Sequence, residues 1–250
     1  MSSVAFAHGS KSRLYLDGLD ITTIFKSMTD SLSVDEADTT TFNPAGAHKS
    51  SIPGLLSGEA SADGFFDGTT GGIATTGTDY ALNSRVGLDG LTLVYLPQGD
   101  GFGNVARMKS GSLTKYEVKT GTDAAGEASF AFVSDVATEP GVVEHVLQAE
   151  TVSGQSSSID NGAVPGATQN GGVGYLEVTT ITGTTPSLTA KIQHSADNVS
   201  WADLITFTAA TAIGGQRVAV AGTVNRYTRA LWTIAGTTPS VTFSLVFGRK

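Results

Sequence analysis

Apolar and polar residues alternate over many short stretches of the chain, and a period of two indicates β-strands. Residues 113–119 are an example, because Lys115, Glu117 and Lys119 occupy every second position. Such a strand has one charged face and one face that packs against the protein. The pattern predicts strands at residues 13–17, 56–66, 91–96, 113–119, 128–133, 142–147, 175–181, 187–194, 203–208, 217–221, 226–234 and 240–247.

Helical patterns are rare. Short helices are predicted at residues 21–26 and 79–85, and Thr78 or Asp79 would cap the second of them. Gly, Ser and Thr make up about 36% of the 250 residues, which favours turns and pleated surfaces over helices. A chain of this length buries a core without a metal or a disulfide. We therefore predict an all-β protein with short helices.

A polar stretch divides the chain. Residues 151–174 contain few large apolar side chains and many Gly, Ser and Asn, so they cannot bury enough surface to become ordered alone. This predicts an N-terminal domain at residues 1–150, a flexible linker at 151–172 and a C-terminal β-sandwich at 173–250. The sandwich would be immunoglobulin-like or jelly-roll-like.

The C-terminal part contains an internal repeat. Residues 181–189 read ITGTTPSLT and residues 234–242 read IAGTTPSVT, with seven of nine positions identical and an offset of 53 positions. Each copy predicts a strand end, a Gly-Thr-Thr-Pro turn and the start of the next strand. The alternative is chance recurrence of a Thr-rich turn, because turns use few residue types.

The sequence gives no sign of an enzyme. It has no cysteine, no Gly-Lys pair of a phosphate-binding loop and no Gly-x-Ser-x-Gly elbow. The histidines lie in separate segments without metal-type spacing. Residues 97–104 hold three glycines after a strand, but another strand follows, so a hairpin is expected there. No catalytic residue, metal or cofactor is predicted.

Charge is distributed unevenly along the chain. Residues 1–150 have a net charge of −10 and residues 151–250 a net charge of +2. An acidic body repels nucleic acid at long range, which argues against tight DNA binding. The N-terminus resembles no signal peptide and no stretch is long enough to span a membrane, so we expect synthesis in a cytoplasm and no membrane insertion.

Two features remain as candidate sites. Asp35, Glu36 and Asp38 would hold a hard cation or form a solvated strand end, although they lack the spacing of an EF-hand loop. Trp201 follows a turn, where a tryptophan stacks on a sugar or, more often, closes a core.

The N-terminal part resembles a known family in three short motifs. These are residues 38–42 (DTTTF), 52–55 (IPGL) and 64–67 (GFFD), which follow a first strand with an Asp-Gly turn at residues 13–18. The order is similar to that in the tail tube, or major tail, proteins of long-tailed bacteriophages. Downstream, residues 191–201 and 220–232 resemble a β-rich module of phage virion proteins, which many tail tube proteins lack.

The resemblance implies a structural virion protein that assembles into stacked rings, hexameric in the family, to form the tail tube through which DNA is ejected. Its partners would be further copies of itself, other tail proteins such as the tape measure, and double-stranded DNA that passes without tight binding. Asp35, Glu36 and Asp38 become candidates for an acidic lumen. The candidate contacts between subunits or rings are Asn43, Pro44, His48, Ile52, Pro53, Gly54, Gly71 and Gly72.

Other interpretations stay open at this point. The polar segments at residues 43–50 and 68–78 are either assembly arms or surface loops. A capsid decoration protein or a carbohydrate-binding virion surface protein would also be non-enzymatic. In the second case Trp201 would be the surface contact of the C-terminal module.

Overall fold

A computed structural model describes residues 9–39, 50–68, 77–162 and 168–250. In these residues the protein is composed almost entirely of antiparallel strands, with one short α-helix and one short 3-10 helix. The predicted all-β class is therefore confirmed. The chain forms two compact units, one of residues 1–24, 91–110 and 139–250 and one of residues 25–90 and 111–138, which we call unit 1 and unit 2.

The strands are β1 (Arg13–Leu16), β2 (Leu19–Asp20), β3 (Phe25–Asp38), β4 (Ser51–Phe65), β5 (Leu91–Leu96), β6 (Val105–Gly121), β7 (Ala124–Ser134), β8 (Glu139–Glu150), β9 (Gly154–Gln155), β10 (Ile159–Asp160), β11 (Gly172–Ser195), β12 (Ala202–Thr206), β13 (Gly214–Val220) and β14 (Tyr227–Arg249). The α-helix is α1 (Thr78–Asn83), and the 3-10 helix spans Gly9–Lys11. The predicted helix at residues 79–85 is thus confirmed in substance, but Gly77 is its N-cap and no side chain caps it. The helix predicted at residues 21–26 is wrong, since these residues form a turn that leads into β3.

Unit 1 is organised by β11 and β14, which pair along most of their lengths. The strand order is β12-β11-β14-β8-β6-β5-β1-β2. One buried cluster lies within residues 176–247 and includes Leu176, Phe207 and Phe243. A second cluster joins Tyr15 and Val94 to residues such as Tyr175. The core of unit 1 therefore combines residues from both ends of the sequence.

The structure divides the chain elsewhere than at the predicted linker. Residues 142–150 of β8 pair with β14, although the prediction placed them in separate domains. Strands β9 and β10 also pair with β14, and residues 163–167 lie outside the described residues. Ser153 and Ser156 accept hydrogen bonds of 2.9 Å from the backbone N–H groups of Ile234 and Ala230. Small polar side chains thus satisfy backbone donors of β14, so this segment is placed without an apolar core of its own.

The repeated Gly-Thr-Thr-Pro sequences do not form turns between strands. Both copies lie within continuous strands, one in β11 and one in β14, and they face each other in the antiparallel pair. The register shifts on both sides of Thr184, which lies opposite Thr237. The prediction of two β-turn-β corners is wrong because bulges bend a strand without ending it.

Unit 2 contains a four-stranded antiparallel sheet in the order β3-β4-β7-β6, where β6 contributes residues 111–121. One face of this sheet is apolar, because Ala60 and Ala62 of β4 pair with Phe132 and Phe130 of β7. Phe25 adds an edge-to-face contact with Phe130, at 5.0 Å between ring centroids. Helix α1 is linked to the same face by a 3.0 Å hydrogen bond from Tyr116 to Asp79.

Candidate assembly surface

Strands β3 and β4 form a hairpin that extends beyond the rest of their sheet. They pair from Phe25 and Gly64 at one end to Asp38 and Ser51 at the other. Strand β7 pairs with β4 only from Gly58 to Phe65. In the described part of the chain, β3 pairs only with β4. Residues 32–38 and 51–57, which we call the arm, therefore project from the sheet as a two-stranded ribbon.

One face of the arm is apolar and exposed. Residues that pair across two strands share a face, so the buried face of Ala60 and Ala62 continues into Leu32, Val34 and Leu56. The exposed fractions of these three side chains are 46%, 42% and 55%. We call them the apolar arm face. An isolated two-stranded ribbon with exposed apolar residues is marginal in water, so this face is a candidate for contact with another chain.

The end of the arm brings together two sets of residues that were predicted separately. Glu36 lies opposite Pro53, and Asp38 lies opposite Ser51. A Cβ atom at Gly54 would lie only 3.1 Å from the carbonyl oxygen of Asp35, so the strands approach closely there.

The acidic residues Asp35, Glu36 and Asp38 are exposed, and so are Ile52 and Leu55, at 59% and 80%. The described residues contain no group of three or more side chains suited to hold a metal ion. The end of the arm is thus both acidic and apolar. The other candidate contacts, Asn43, Pro44, His48, Gly71 and Gly72, lie outside the described residues.

The opposite face of the unit 2 sheet is polar. It carries Asp63, Glu117, Lys119 and Glu127 around an open pocket of about 390 Å³. Lys26 forms a 3.4 Å ion pair with Glu127. Lys115 pairs with Glu117 and lowers the pKa of that carboxyl group. Acidic and basic side chains therefore alternate on this face, which we call the polar sheet face.

Trp201 lies in unit 1, partly buried beside a cation. The guanidinium of Arg229 is 4.1 Å from the centroid of the Trp201 ring. Gln193 accepts hydrogen bonds of 2.9 and 2.8 Å from Arg229 and donates one of 2.8 Å to Asp203. The buried cluster within residues 176–247 contains Trp232 and does not include Trp201. Trp201 is therefore partly exposed, with the guanidinium of Arg229 over its ring.

Sequence reasoning missed two elements of these surfaces. Leu32 and Val34 were overlooked because β3 reads as an acidic segment, although the two residues already stand two positions apart. Arg229 was overlooked because its contact with Trp201 joins positions 28 residues apart in the sequence. Among the helices that the structure describes, none is long and apolar enough to cross a membrane.

Comparison with known proteins gives similar structures only. No family model and no curated protein matches the chain. One similar structure is the virion of a native gene transfer agent particle, with 14% identity, a TM-score of 0.39 and coverage of 53% of this chain and 97% of the other. Another is the SPP1 tail tube, with 13% identity, a TM-score of 0.38 and coverage of 53% and 77%. A third is the phage p2 baseplate, with 12% identity, a TM-score of 0.34 and coverage of 96% and 98%. Such low identities and TM-scores assign no function to this chain.

Proposed function

We propose that this chain is a tail tube protein that assembles into stacked rings, six copies to a ring, and lets phage DNA pass through the bore. The observation that carries the proposal is the four-stranded sheet of unit 2, which has β3 at one edge and ends in an apolar arm. The sequence motifs at residues 38–42, 52–55 and 64–67 support it, because their described residues lie in β3 and β4 or directly beside these strands.

Rings close by pairing sheet edges. An exposed edge strand has a row of backbone donors and acceptors and readily pairs with another strand. We infer that β3 of one copy pairs with residues 115–121 of β6 in the next copy, so that the sheets join into one continuous barrel. Closure of a barrel removes the free edges that each separate sheet would leave.

The polar sheet face lines the bore in this arrangement. It carries Glu59, Asp63, Glu117 and Glu127 against Lys26, Lys115 and Lys119. Two of the lysines are paired with carboxylates. A surface with no excess of positive charge does not hold a polyanion, so DNA slides past it. Asp35, Glu36 and Asp38 are not assigned to the bore, since they lie on the arm beyond the region that β7 covers.

The arm connects successive rings. A second copy in the next ring would cover the apolar arm face, because exposed apolar surface is stabilised when it leaves water. Tail proteins that end the tube, and a tape measure inside it, would be further partners at the ends and in the bore. The virion tail is then the place where the protein resides.

The triple variant Leu32→Ser, Val34→Ser and Leu56→Ser tests this function. We expect the purified variant to keep its β-type circular dichroism and to form no tubes in negative-stain micrographs, while the parent chain forms them. Val152→Ser is the matched control, because Val152 is 67% exposed and lies outside the arm. Tubes formed equally by the triple variant would contradict the role of the arm.

A further inference from the structure

Arg229 is an unusual cation in unit 1. Its guanidinium lies over the ring of Trp201 and donates two hydrogen bonds to the amide oxygen of Gln193. By contrast, Arg217 donates two hydrogen bonds to the carboxylate of Glu139, and Arg226 donates two to the carboxylate of Asp160.

Arg229 has no carboxylate within ion-pair distance among the residues that the structure describes. The nearby Asp203 is already shared between Lys191 and Gln193, at 2.7 and 2.8 Å. Partial burial lowers the pKa of Arg229, and no neighbouring acid offsets that cost. The second terminal nitrogen of the guanidinium, Nη1, makes no hydrogen bond within the described residues. An arginine that is desolvated without a counter-ion is suited to receive an anionic group from outside.

The surroundings of Arg229 are also partly apolar. Trp201 supplies an aromatic ring, and Val199, in the turn just before it, is 79% exposed. Arginine and tryptophan are the residue types that contribute most often to binding energy at protein interfaces. We call Val199, Trp201 and Arg229 the Trp–Arg face. A fitting partner has an acidic group next to an exposed apolar one.

The end of the arm has this composition. Asp35 and Glu36 are exposed and adjoin Ile52 and Leu55, which are 59% and 80% exposed. Neither acidic residue has an ion-pair partner within the described residues. In any homo-oligomer both surfaces are present in equal number, and a contact between unlike surfaces propagates from copy to copy.

We propose that the end of the arm in one copy docks on the Trp–Arg face of a second copy, with Glu36 or Asp35 accepting hydrogen bonds from Arg229. This inference rests on the proposed self-assembly and names the surface that receives the arm. The apolar residues beside the acids pack on Trp201 and Val199, and the opposite charges fix the register. High salt weakens the contact because both charges are near the surface.

Engineered cysteines test the contact directly, since the chain has no cysteine of its own. Glu36→Cys and Val199→Cys variants of the full chain are mixed, allowed to assemble and oxidised gently. We expect a disulfide-linked dimer of twice 25.6 kDa on a non-reducing gel. The control pairs Glu36→Cys with Val152→Cys, which is 67% exposed and outside the Trp–Arg face. Tubes with no more cross-link than in the control would overturn the inference and leave the proposed function standing.

Charge reversal gives the second test. We expect Arg229→Glu to raise the protein concentration needed for assembly at least about tenfold. Adding Glu36→Lys in the same chain should restore assembly to within about threefold, because the pair is re-formed with opposite sign. Lys11→Glu, an exposed reversal elsewhere in unit 1, should change assembly little.

Assembly that is indifferent to Arg229→Glu would contradict the contact. A second contradicting result is that an acidic oligosaccharide such as oligogalacturonate binds the parent chain but not Arg229→Glu, while Arg229→Glu still forms tubes. The Trp–Arg face would then be a sugar-binding site and not a contact between copies. A parent chain that never assembles would instead refute the proposed function itself.

Discussion

Thr184 of β11 lies directly opposite Thr237 of β14, at the point where the two copies of the repeated sequence meet. The copies adopt matching backbone conformations, with φ of +119° and +121° at Gly183 and Gly236 and of +48° and +47° at Thr185 and Thr238. A local two-fold axis therefore passes between the two strands. The two copies of the repeat therefore pair with each other and form a bend in the long ribbon of β11 and β14.

The glycines of this bend should not tolerate a side chain. A Cβ atom at Gly183 or Gly236 would lie 2.9 Å from backbone atoms of the opposite copy, and their φ values suit only glycine. We expect Gly183→Ala or Gly236→Ala to lower the free energy of unfolding by about 2 to 4 kcal/mol in urea titrations. Gly121→Ala is the control, because a Cβ there meets open space. Equal effects of all three substitutions would show that the bend imposes no special constraint.

The ion pair between Glu139 and Arg217 should contribute strongly to the stability of unit 1. Glu139 is nearly buried and accepts hydrogen bonds of 2.8 and 2.7 Å from Arg217 and one of 2.7 Å from Tyr175. We expect Glu139→Gln to cost about 2 to 4 kcal/mol, because the partly buried guanidinium of Arg217 then loses its counter-ion. Asp160→Asn breaks a similar pair with Arg226 at the exposed surface and should cost much less, because solvent screens this pair. Thermal unfolding of the two variants compares them, and a smaller loss for Glu139→Gln would be inconsistent with this assignment.

Glu144 should make stability depend on pH. Burial raises its pKa to about 7, and among the described residues only Thr228 donates a hydrogen bond to its side chain, at 2.6 Å. The folded state binds the proton of Glu144 more tightly than the unfolded state does, since the pKa is about 7 when folded and 4.5 ordinarily. Stability therefore falls as the pH rises from about 4.5 to about 7 and stays level above that. We expect Glu144→Gln to gain on the order of 3 kcal/mol over the parent chain at pH 8 and little at pH 5.

Comparison of Glu144→Gln with the parent at each pH cancels the titration of His145, whose pKa burial lowers. Glu59→Gln, an exposed carboxylate, serves as the control and should show no such difference. The urea midpoint of the parent chain should decrease from pH 5 to pH 8 when it is compared with the midpoint of Glu144→Gln. If it does not decrease, Glu144 is not a buried carboxyl group that titrates in this range.

Truncation after residue 171 should prevent unit 1 from folding. The fragment loses β11 and β14, and with them Val173, Tyr175 and Val246 from the core shared with Tyr15 and Val94. It also exposes the edge of β8 that pairs with β14 in the intact chain, and an exposed strand edge promotes aggregation. We expect an aggregating fragment without a cooperative melt by circular dichroism. A soluble, cooperatively folded fragment would instead favour the domain boundary that the sequence suggests.

Much of the fold follows from local sequence pattern. The period of two located most strands of unit 1, and residues 78–83 form the helix expected near Asp79. Strand β3 was missed because its charged residues mask the alternation that its partner β4 shows. It is ordered by pairing with β4, a non-local contact that propensity does not encode.

The candidate surfaces were predictable only in part. The motif residues Ile52, Pro53 and Gly54 and the acidic residues Asp35 and Glu36 were identified separately, but their meeting at one end of a hairpin depends on register. The same holds for Arg229 on Trp201, which requires β14 to lie beside β11. The polar segment after residue 150 looked like a linker because serine side chains that serve as backbone partners leave no hydrophobic signal.

Electron cryo-microscopy of the purified 250-residue chain at increasing concentration shows whether the chain assembles into a tube. We expect hollow tubes of stacked rings, with the polar sheet face of unit 2 lining the bore and β3 of each copy hydrogen-bonded to its neighbour. The contradictory result is a single species of 25.6 kDa in analytical ultracentrifugation at the highest concentrations, with no rings or tubes in the micrographs.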